Sequence, residues 1–180
     1  VVALGEGVEG FRPGDAVCAL VSGGAYAEYC VVPAPQALPL PKGYDMLHAA
    51  AIPENFFTVW TNLFDGGELK PGETILVHGG SGEIVKAATG GIGCDVVIDM
   101  VAGDYFRRNL DVLAPDGRLV QVAVQKGPKV ELFFPTVMAK RLRITGSLLR
   151  PRSVAQKGEI ARALHEKLWP LFEKGDIKPL

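Results

Sequence analysis

Residues 74–82 read TILVHGGSG and decide the fold. The first four form a short, largely apolar run, which is typical of a strand buried on both faces of a parallel sheet. The run leads directly into glycines, at the point where a dinucleotide-binding fold has its phosphate loop. Glycine backbones there let amide N–H groups approach a pyrophosphate. Gly79, Gly80 and Ser81 are therefore candidate cofactor-binding residues, although an ordinary strand-to-helix turn uses the same glycines.

Beyond this stretch the sequence alternates between strand-like and helix-like runs. Apolar runs at 95–100 and 118–123 predict two further strands. Asp104 is a candidate N-cap of the helix between them, and a turn follows at 115–117. The apolar stripe of that helix consists of Phe106, Leu110 and Leu113. Because a strand, a helix and a parallel strand form a right-handed βαβ unit, the predicted fold class is α/β with a doubly wound parallel sheet.

The C-terminal part adds two helices and a strand. Pro135 suits the first turn of a short helix over 135–140, and residues 143–149 predict a strand. Ser153 with Gln156 three residues later forms a capping-box pattern. The helix that it opens ends at Gly175. Its apolar stripe consists of Ile160, Leu164, Leu168 and Leu171.

Residues 1–41 consist of short β-prone runs between glycine and proline turns, which is typical of a small barrel. Residues 47–51 then predict a short helix that Pro53 ends or kinks. The next helix has an apolar stripe that we expect to face the core: Phe56, Val59, Trp60, Leu63 and Phe64. Another face carries the uncharged polar residues Asn55, Thr58 and Asn62, and such a face can line a cleft.

Composition and charge argue against several functional classes. The chain has 19 Lys and Arg against 20 Asp and Glu, and no apolar run reaches the roughly 18 residues that a membrane span needs. We therefore expect no nucleic-acid or membrane partner and a cytoplasmic location. Cys18, Cys30 and Cys94 include no C-x-x-C pair, which favours buried reduced thiols over a disulfide framework or a structural zinc site.

The chain that follows the glycine loop is short. Residues 83–89 allow barely two helical turns before Gly90-Gly91, whereas a parallel crossover needs a dozen or more residues. We predict that the sequence joins fragments of a longer chain, with residues lost around Ser81 to Glu83, before Val1 and after Leu180. If the junction is genuine, the sheet lacks the strand that bears the ribose discriminator about 20 residues past the loop.

A set of motifs occurs in a fixed order: GDAV at 14–17, GGAYAEY at 23–29, AAAIP at 49–53, KPGE at 70–73, IDMV at 98–101 and SLLR at 147–150. In these motifs the chain resembles the zinc-independent quinone oxidoreductase, or zeta-crystallin, branch of the medium-chain dehydrogenase/reductase superfamily. The resemblance implies a GroES-like β-barrel catalytic domain and a Rossmann-type domain, both incomplete. It assigns residues 1–47 to the first, 48–150 to the second with a missing segment near 81–83, and 151–180 to a C-terminal return to the catalytic domain.

The resemblance implies an oxidoreductase that uses NADPH to reduce quinones or related conjugated carbonyls such as enones. Hydride transfer requires two flat rings held face to face and no nucleophile. The expected hydrogen-bonding residue for nicotinamide or substrate is Thr58, with Asn55 as a weaker companion; a surface or back-bonding threonine is the open alternative. Asp99, at the inward end of its strand, is interpreted as structural and not as a general base.

Further cofactor contacts are expected at strand ends, where ligands bind in open α/β sheets. The strand-end candidates are Val101, Gly103, Ala123, Val124 and Gln125. Leu148, Leu149 and Arg150 resemble the segment that closes over the cofactor. Structural alternatives stay open: a turn residue for Gln125, a glycine at the start of a helix for Gly103, and a solvated basic face for Arg150 with Lys140, Arg141, Arg143 and Arg152.

His48, His78 and His165 show no H-E-x-x-H spacing, and the chain has no G-H-E motif of zinc alcohol dehydrogenases, so we expect no catalytic metal. Two other functions remain open: an enoyl-thioester reductase, and a non-enzymatic crystallin-like or RNA-associated protein on the same fold. The resemblance also implies a homodimer that pairs through the strand at 143–149.

Overall fold

A computed structural model describes residues 1–77 and 82–178, apart from the side chains of residues 82 and 83. The predicted cofactor contacts at Gly79, Gly80 and Ser81, and the junction predicted to be spliced, lie outside the described residues. Packing divides the chain into a first unit, Val1–Trp60 with Leu149–Leu180, and a second unit, Thr61–Leu148. By packing, residues 48–60 thus belong with the first unit; the domain assignment made from the sequence stays a prediction.

The first unit contains a two-stranded antiparallel sheet of β1 (Val17–Ala19) and β2 (Ala37–Pro39). A 3-10 turn at Ala34–Gln36 leads into β2. The barrel predicted from residues 1–41 is therefore represented, among the described residues, by one short strand pair. Cys18 and Leu38 from this pair are buried in the core of the unit. Cys30 is exposed, which contradicts the prediction that all three thiols are buried.

Three helical segments follow the strand pair. Helix α1 (Met46–Ala50) is capped by the Asp45 carboxylate, which accepts from the His48 amide at 2.8 Å. Helix α2 (Ile52–Trp60) begins directly after it, with Pro53 in its first turn, and the chain continues as a π-helical segment at Thr61–Gly66.

The predicted core stripe of α2 is confirmed in part, since Phe56, Trp60 and Leu63 pack against core clusters. Ile52 and Phe57 are fully buried, whereas Val59 and Phe64 are each 43% exposed. Asn62, predicted to share a cleft-lining face with Asn55 and Thr58, is buried. The π-helical segment contributes to this difference, because its wider turn places i+5 and not i+4 on one face.

The C-terminal helices complete the first unit. Helix α6 (Val154–Lys167) has the predicted capping box: the Gln156 amide donates to Ser153 Oγ at 3.2 Å, and the Ser153 amide to Gln156 Oε1 at 2.9 Å. The single helix predicted up to Gly175 is wrong, since α7 (Trp169–Lys174) starts separately after Leu168. Pro170 explains the break, because it has no amide hydrogen to continue the ladder.

The second unit holds a parallel sheet in the order β3-β4-β5-β6. Its strands are β3 (Ile75–Val77), β4 (Cys94–Asp99), β5 (Leu113–Gln121) and β6 (Arg143–Gly146). Its helices are α3 (Gly82–Ala88), α4 (Tyr105–Val112) and α5 (Phe134–Lys140). Val97 and Leu119 pack in one apolar cluster and Val96 and Val120 in another, so both faces of the sheet are covered. This confirms the predicted α/β class.

The sheet is a partial doubly wound sheet. Among the described residues β3 pairs only with β4, and all further strands lie on that side. A complete fold of this type has two more strands beyond its first, in the order 3-2-1-4-5-6. None of the described helices is long and apolar enough to cross a membrane.

Of two local predictions in this unit, one is confirmed in part and one is wrong. Asp104 is the N-cap residue of α4, as predicted, but its side chain makes no capping hydrogen bond; the carbonyls of Ala102 and Gly103 accept from the first amides of the helix. The segment 115–117 does not precede β5 but forms a bulge within it, since the pairing jumps from Cys94–Leu113 to Val96–Arg118.

Candidate functional site

The loops after β4 and β5 meet at the carboxyl edge of the sheet. The Lys126 amide donates to the Val101 carbonyl at 2.8 Å, and the Gln125 amide to the Met100 carbonyl at 3.3 Å. The structure thus brings together the predicted strand-end residues. These are Val101, Gly103, Ala123, Val124 and Gln125. We call the loops 100–104 and 122–127 the strand-end loops.

Asp99 shapes the first of these loops from a fully buried position. Its Oδ1 accepts from the amides of Val101 at 2.7 Å and Ala102 at 3.0 Å. The Gln121 side chain links the two loops, because its Nε2 donates to the carbonyls of Asp99 at 3.0 Å and Ala123 at 2.6 Å. These contacts are those of a loop-shaping carboxylate, as the sequence analysis expects.

Gly103 is required by contact between the two loops. Its φ is 54°, and a Cβ placed there would lie 2.8 Å from the carbonyl oxygen of Lys126. Ala102 also has a left-handed φ of 57°, an uncommon conformation for a residue with a side chain. Because hydrogen bonds on both sides hold this conformation, the loop geometry is set before any ligand arrives.

The strand-end residues differ in what they offer a ligand. Val101 is buried, and both of its backbone polar groups are used within the loops. Val124 and Gln125 are exposed at the same edge. A flat ligand at this edge would therefore contact Val124 and Gln125, whereas Val101 and Gly103 maintain the conformation of the strand-end loops.

Thr58 and Asn55 lie on α2 in the first unit. Asn55 is exposed, and its Nδ2 donates to the carbonyl of Ala51, one turn earlier in the chain, at 3.0 Å. Thr58 is half-buried. The side-chain carboxamide of Asn55 is thus bonded to its own helix through Nδ2, whereas its Oδ1 can accept a hydrogen bond from a ligand.

The SLLR segment lies at the unit boundary. Leu148 is exposed and belongs to the second unit, whereas Leu149 packs against the core of the first. Arg150 is exposed, and its carbonyl accepts from the buried ammonium of Lys157 at 3.0 Å. The segment is therefore attached to the first unit through the Arg150 backbone.

The basic residues that the sequence groups with Arg150 do not form one solvated face. Lys140 Nζ donates to the carbonyls of Leu110, Asp111 and Leu113 at 2.8–3.1 Å, where α4 ends. Burial lowers the pKa of Lys140. The other two residues of this group in the second unit form exposed ion pairs, Arg141 with Asp116 at 2.6 Å and Arg143 with Glu68 at 2.9 Å.

Two polar residues that the sequence analysis missed are buried in the first unit, Lys157 and Gln36. Lys157 had a signal: it precedes Ile160 and Leu164 by three and seven residues, so it shares the apolar stripe of α6. Gln36, in a proline-rich connector, had none.

No group of three or more His, Cys, Asp and Glu residues that could hold a metal ion occurs in residues 1–77 and 82–178. His48 Nδ1 lies 2.7 Å from the Asp45 carboxylate, and His165 packs edge-on against Trp169. Both histidines are thus explained by contacts within the first unit.

Residues 72–165, just over half of the chain, match the zinc-binding dehydrogenase family. The chain belongs to this family, within the medium-chain dehydrogenase/reductase superfamily.

Two curated relatives align with the whole length of this chain. Rat quinone oxidoreductase (Rattus norvegicus) is 25% identical over 228 positions, and the chain covers 68% of it. Highly-reducing polyketide synthase 1 of Aureobasidium melanogenum is 25% identical over 235 positions, and the chain spans 10% of its length. Because the chain has 180 residues, both relatives contain residues that have no counterpart in it.

The fold is also that of solved structures. The crystal structure of JamJ enoyl reductase in its apo form superposes with a TM-score of 0.82 at 20% identity, over 99% of this chain and 67% of that one. At this identity the likeness shows the fold alone.

Proposed function

We propose that this chain is part of a zinc-independent oxidoreductase of the quinone oxidoreductase branch, which uses NADPH to reduce quinones or related conjugated carbonyls. The observation that carries the proposal is the pair of strand-end loops, with Val124 and Gln125 exposed at the carboxyl edge of a parallel sheet. Ligands of open α/β sheets bind at this edge. Family membership and the alignment of the whole chain with 68% of rat quinone oxidoreductase support the same chemistry.

The strand-end loops fit a nicotinamide cofactor. Bound there, the reduced cofactor would supply a hydride to the substrate. The residues of this chain contribute position: Asp99 and Gly103 hold the loops, and Val124 and Gln125 face the ligand. The role of Thr58 as a hydrogen-bonding residue for nicotinamide or substrate is proposed from the family resemblance. Since the reaction needs alignment of two rings, correct placement is the main contribution of the protein.

The proposal is tested by quinone-dependent loss of reduced-nicotinamide absorbance, measured with NADPH and with NADH. We expect NADPH to be preferred and a chelator to leave the rate unchanged. Thr58→Val should lower kcat/KM about tenfold, whereas Thr58→Ser, which keeps the hydroxyl, should retain most of it. No activity with several quinones and enones would contradict the proposal.

A second candidate is an enoyl-thioester reductase. It is favoured by the alignment with the polyketide synthase and by the fold shared with an enoyl reductase. Competition between a short enoyl thioester of coenzyme A and a quinone separates the two. A kcat/KM at least tenfold higher for the thioester would select the second function.

We further propose that the protein is a cytoplasmic homodimer that pairs through β6. All four residues of β6 are exposed, and among the described residues the strand pairs only with β5. An edge strand with free backbone groups pairs readily with a second copy. Light scattering should give about twice the 19.2 kDa of one chain; a single-chain mass over a concentration series would contradict this.

A further inference from the structure

The first unit contains a cavity of about 650 Å³. It is lined by the segments 21–36 and 150–157, which include the loop after β1, the 3-10 turn and the first turn of α6. All of these belong to one unit. Its volume lies within the range of small-molecule sites, roughly 300–1,000 Å³. We call it the Lys157 pocket.

Lys157 is a buried cation whose charge is not balanced by its neighbours. Its residue is 6% exposed, and its ammonium donates to Ser22 Oγ at 3.2 Å and to the Arg150 carbonyl at 3.0 Å. Both acceptors are neutral, and no lining residue is acidic. Since a buried charge is costly unless it is paired, the pocket favours an anion beside this ammonium.

Gln36 supplies a second buried polar group. It is 4% exposed and lines the same pocket, and its side chain forms no hydrogen bond within residues 1–77 and 82–178. Because Gln36 lines the pocket and none of its described neighbours occupies its carboxamide, this group can bond to a ligand there. The carboxamide nitrogen can donate to an anionic oxygen.

Gly158 brings these two groups together. A Cβ at Gly158 would lie only 2.8 Å from Pro35 Cβ, so α6 approaches the 3-10 turn as closely as a glycine allows. Gln36 and Lys157 are the direct chain neighbours of these two contacting residues. The pocket geometry therefore depends on one close backbone contact.

The remaining lining indicates a ligand larger than an inorganic ion. Arg150 and Arg152 add positive charge, and Ser153 caps the 14-residue helix α6 at its positive end. Val21, Val31, Pro33 and Val154 add apolar surface at the mouth of the pocket, where Val31 is 94% exposed and Val154 46%. Cationic groups beside an apolar surface fit an organic phosphate, whose phosphoryl group and uncharged body need different surroundings.

We propose that the Lys157 pocket binds the phosphoryl group of an organic phosphate, with Lys157 and Gln36 as direct donors. The inference rests on the proposed function, which supplies two sources of such a group, the nicotinamide dinucleotide and an acyl thioester of coenzyme A. Lys157 and Gln36 are thereby ligand-binding residues and not parts of the packing alone.

The test measures binding of NADPH, NADH and coenzyme A to the full chain by calorimetry, without quinone or enone. Lys157→Met should weaken binding of the ligand that uses the pocket at least tenfold. Lys167→Met, an exposed lysine on the same helix, is the matched control and should leave binding unchanged. A loss with NADPH but not with coenzyme A, or the reverse, identifies which source supplies the phosphoryl group. A loss for NADPH but not NADH assigns the additional phosphate of NADPH.

A second variant covers the case in which Lys157→Met does not fold. Gln36→Glu keeps the side-chain shape and places a carboxylate in the pocket with Lys157. It should weaken phosphate binding at least tenfold while raising the melting temperature, because Lys157 gains an internal anion. A role in packing alone would not produce these opposite changes.

Two results would overturn the inference: wild-type affinity for all three ligands in both variants, or no binding of any of them by the wild type. Its failure is separable from that of the proposed function. If binding depends on Lys157 but no quinone or enone is reduced, the inference about the pocket stands and the proposed function is contradicted. If the protein reduces a quinone or enone and neither Lys157→Met nor Gln36→Glu changes ligand binding or the rate, the proposed function stands and the inference about the pocket is contradicted.

Discussion

Arg118 holds Glu73 in a two-point ion pair inside the second unit. Its Nη1 donates to Oε1 at 2.9 Å, its Nη2 donates to Oε2, and its Nε donates to the Gly67 carbonyl at 2.8 Å. The pair ties β5 to the segment that leads into β3. Hydrogen bonds between the two side chains lower the pKa of Glu73 and raise that of Arg118. The KPGE motif therefore has a structural role in this chain.

Glu73→Gln should destabilise the second unit, because it leaves a buried guanidinium without its anion. The expected loss is about 2 kcal/mol, between the roughly 1 kcal/mol of an exposed pair and the roughly 3 kcal/mol of a fully buried one. Urea denaturation measures it. The matched control is Glu68→Gln, which removes the exposed partner of Arg143 and should cost little. Equal losses in both variants would contradict the expectation.

The same pair should make stability depend on pH. Since the folded-state pKa of Glu73 is lowered from its ordinary 4.5, its contribution is fully present above that value and is lost as pH falls through the folded-state pKa. The wild type should therefore lose more unfolding free energy than Glu73→Gln on acidification below about pH 4.5. Parallel acid limbs for the two proteins would refute the coupling.

Gly103→Ala should disrupt the strand-end loops. The alanine would be held in a left-handed backbone conformation, and its Cβ would lie 2.8 Å from the carbonyl oxygen of Lys126. Gly72→Ala is the control, because Gly72 has a φ of 84° but an open surrounding. We expect a loss of about 1 kcal/mol for Gly72→Ala and about 2–3 kcal/mol for Gly103→Ala, together with weaker NADPH binding. Similar losses for both would show that the loop contact is unimportant.

Gly158→Ala should destabilise the first unit although alanine is the better helix former. Replacing glycine within a helix is worth about 1 kcal/mol, but the new Cβ would lie 2.8 Å from the rigid Pro35 ring, at a cost of about 1–3 kcal/mol. Thermal unfolding should show a net loss. Ala155→Gly, at an exposed position of α6, calibrates the propensity alone. A rise in melting temperature for Gly158→Ala would contradict the close contact.

Thiol labelling should distinguish Cys30 from the other cysteines. Burial raises the pKa of Cys18 and of Cys94 to about 11, so at pH 8 only about one in a thousand of these thiols is a thiolate. Cys30 is exposed. We expect one fast-reacting thiol, which Cys30→Ser removes. Three thiols of similar rate in the folded protein would refute the assignment.

Features that depend on neighbouring residues in the chain were predictable. The capping box of Ser153 and Gln156 and the helix at 135–140 rest on local hydrogen bonds and on the fixed φ of proline. The strand-end candidates were found because parallel strands end at one edge of a sheet and because the motifs resemble a known family. The bulge at 115–117 was missed, since its turn residues are equally suited to a turn before the strand.

The sequence by itself determined the family, the parallel α/β sheet and the positions of the strand-end loops, because these follow from periodicity, glycine placement and ordered motifs. Only the tertiary structure decided which polar side chains are buried. Lys157 and Gln36 lie far apart in the chain, and the contact of Gly158 with Pro35 places their segments beside one cavity. Burial of a side chain depends on what packs against it: the apolar stripe of α6 indicates the face that Lys157 shares, but not which residues cover that face.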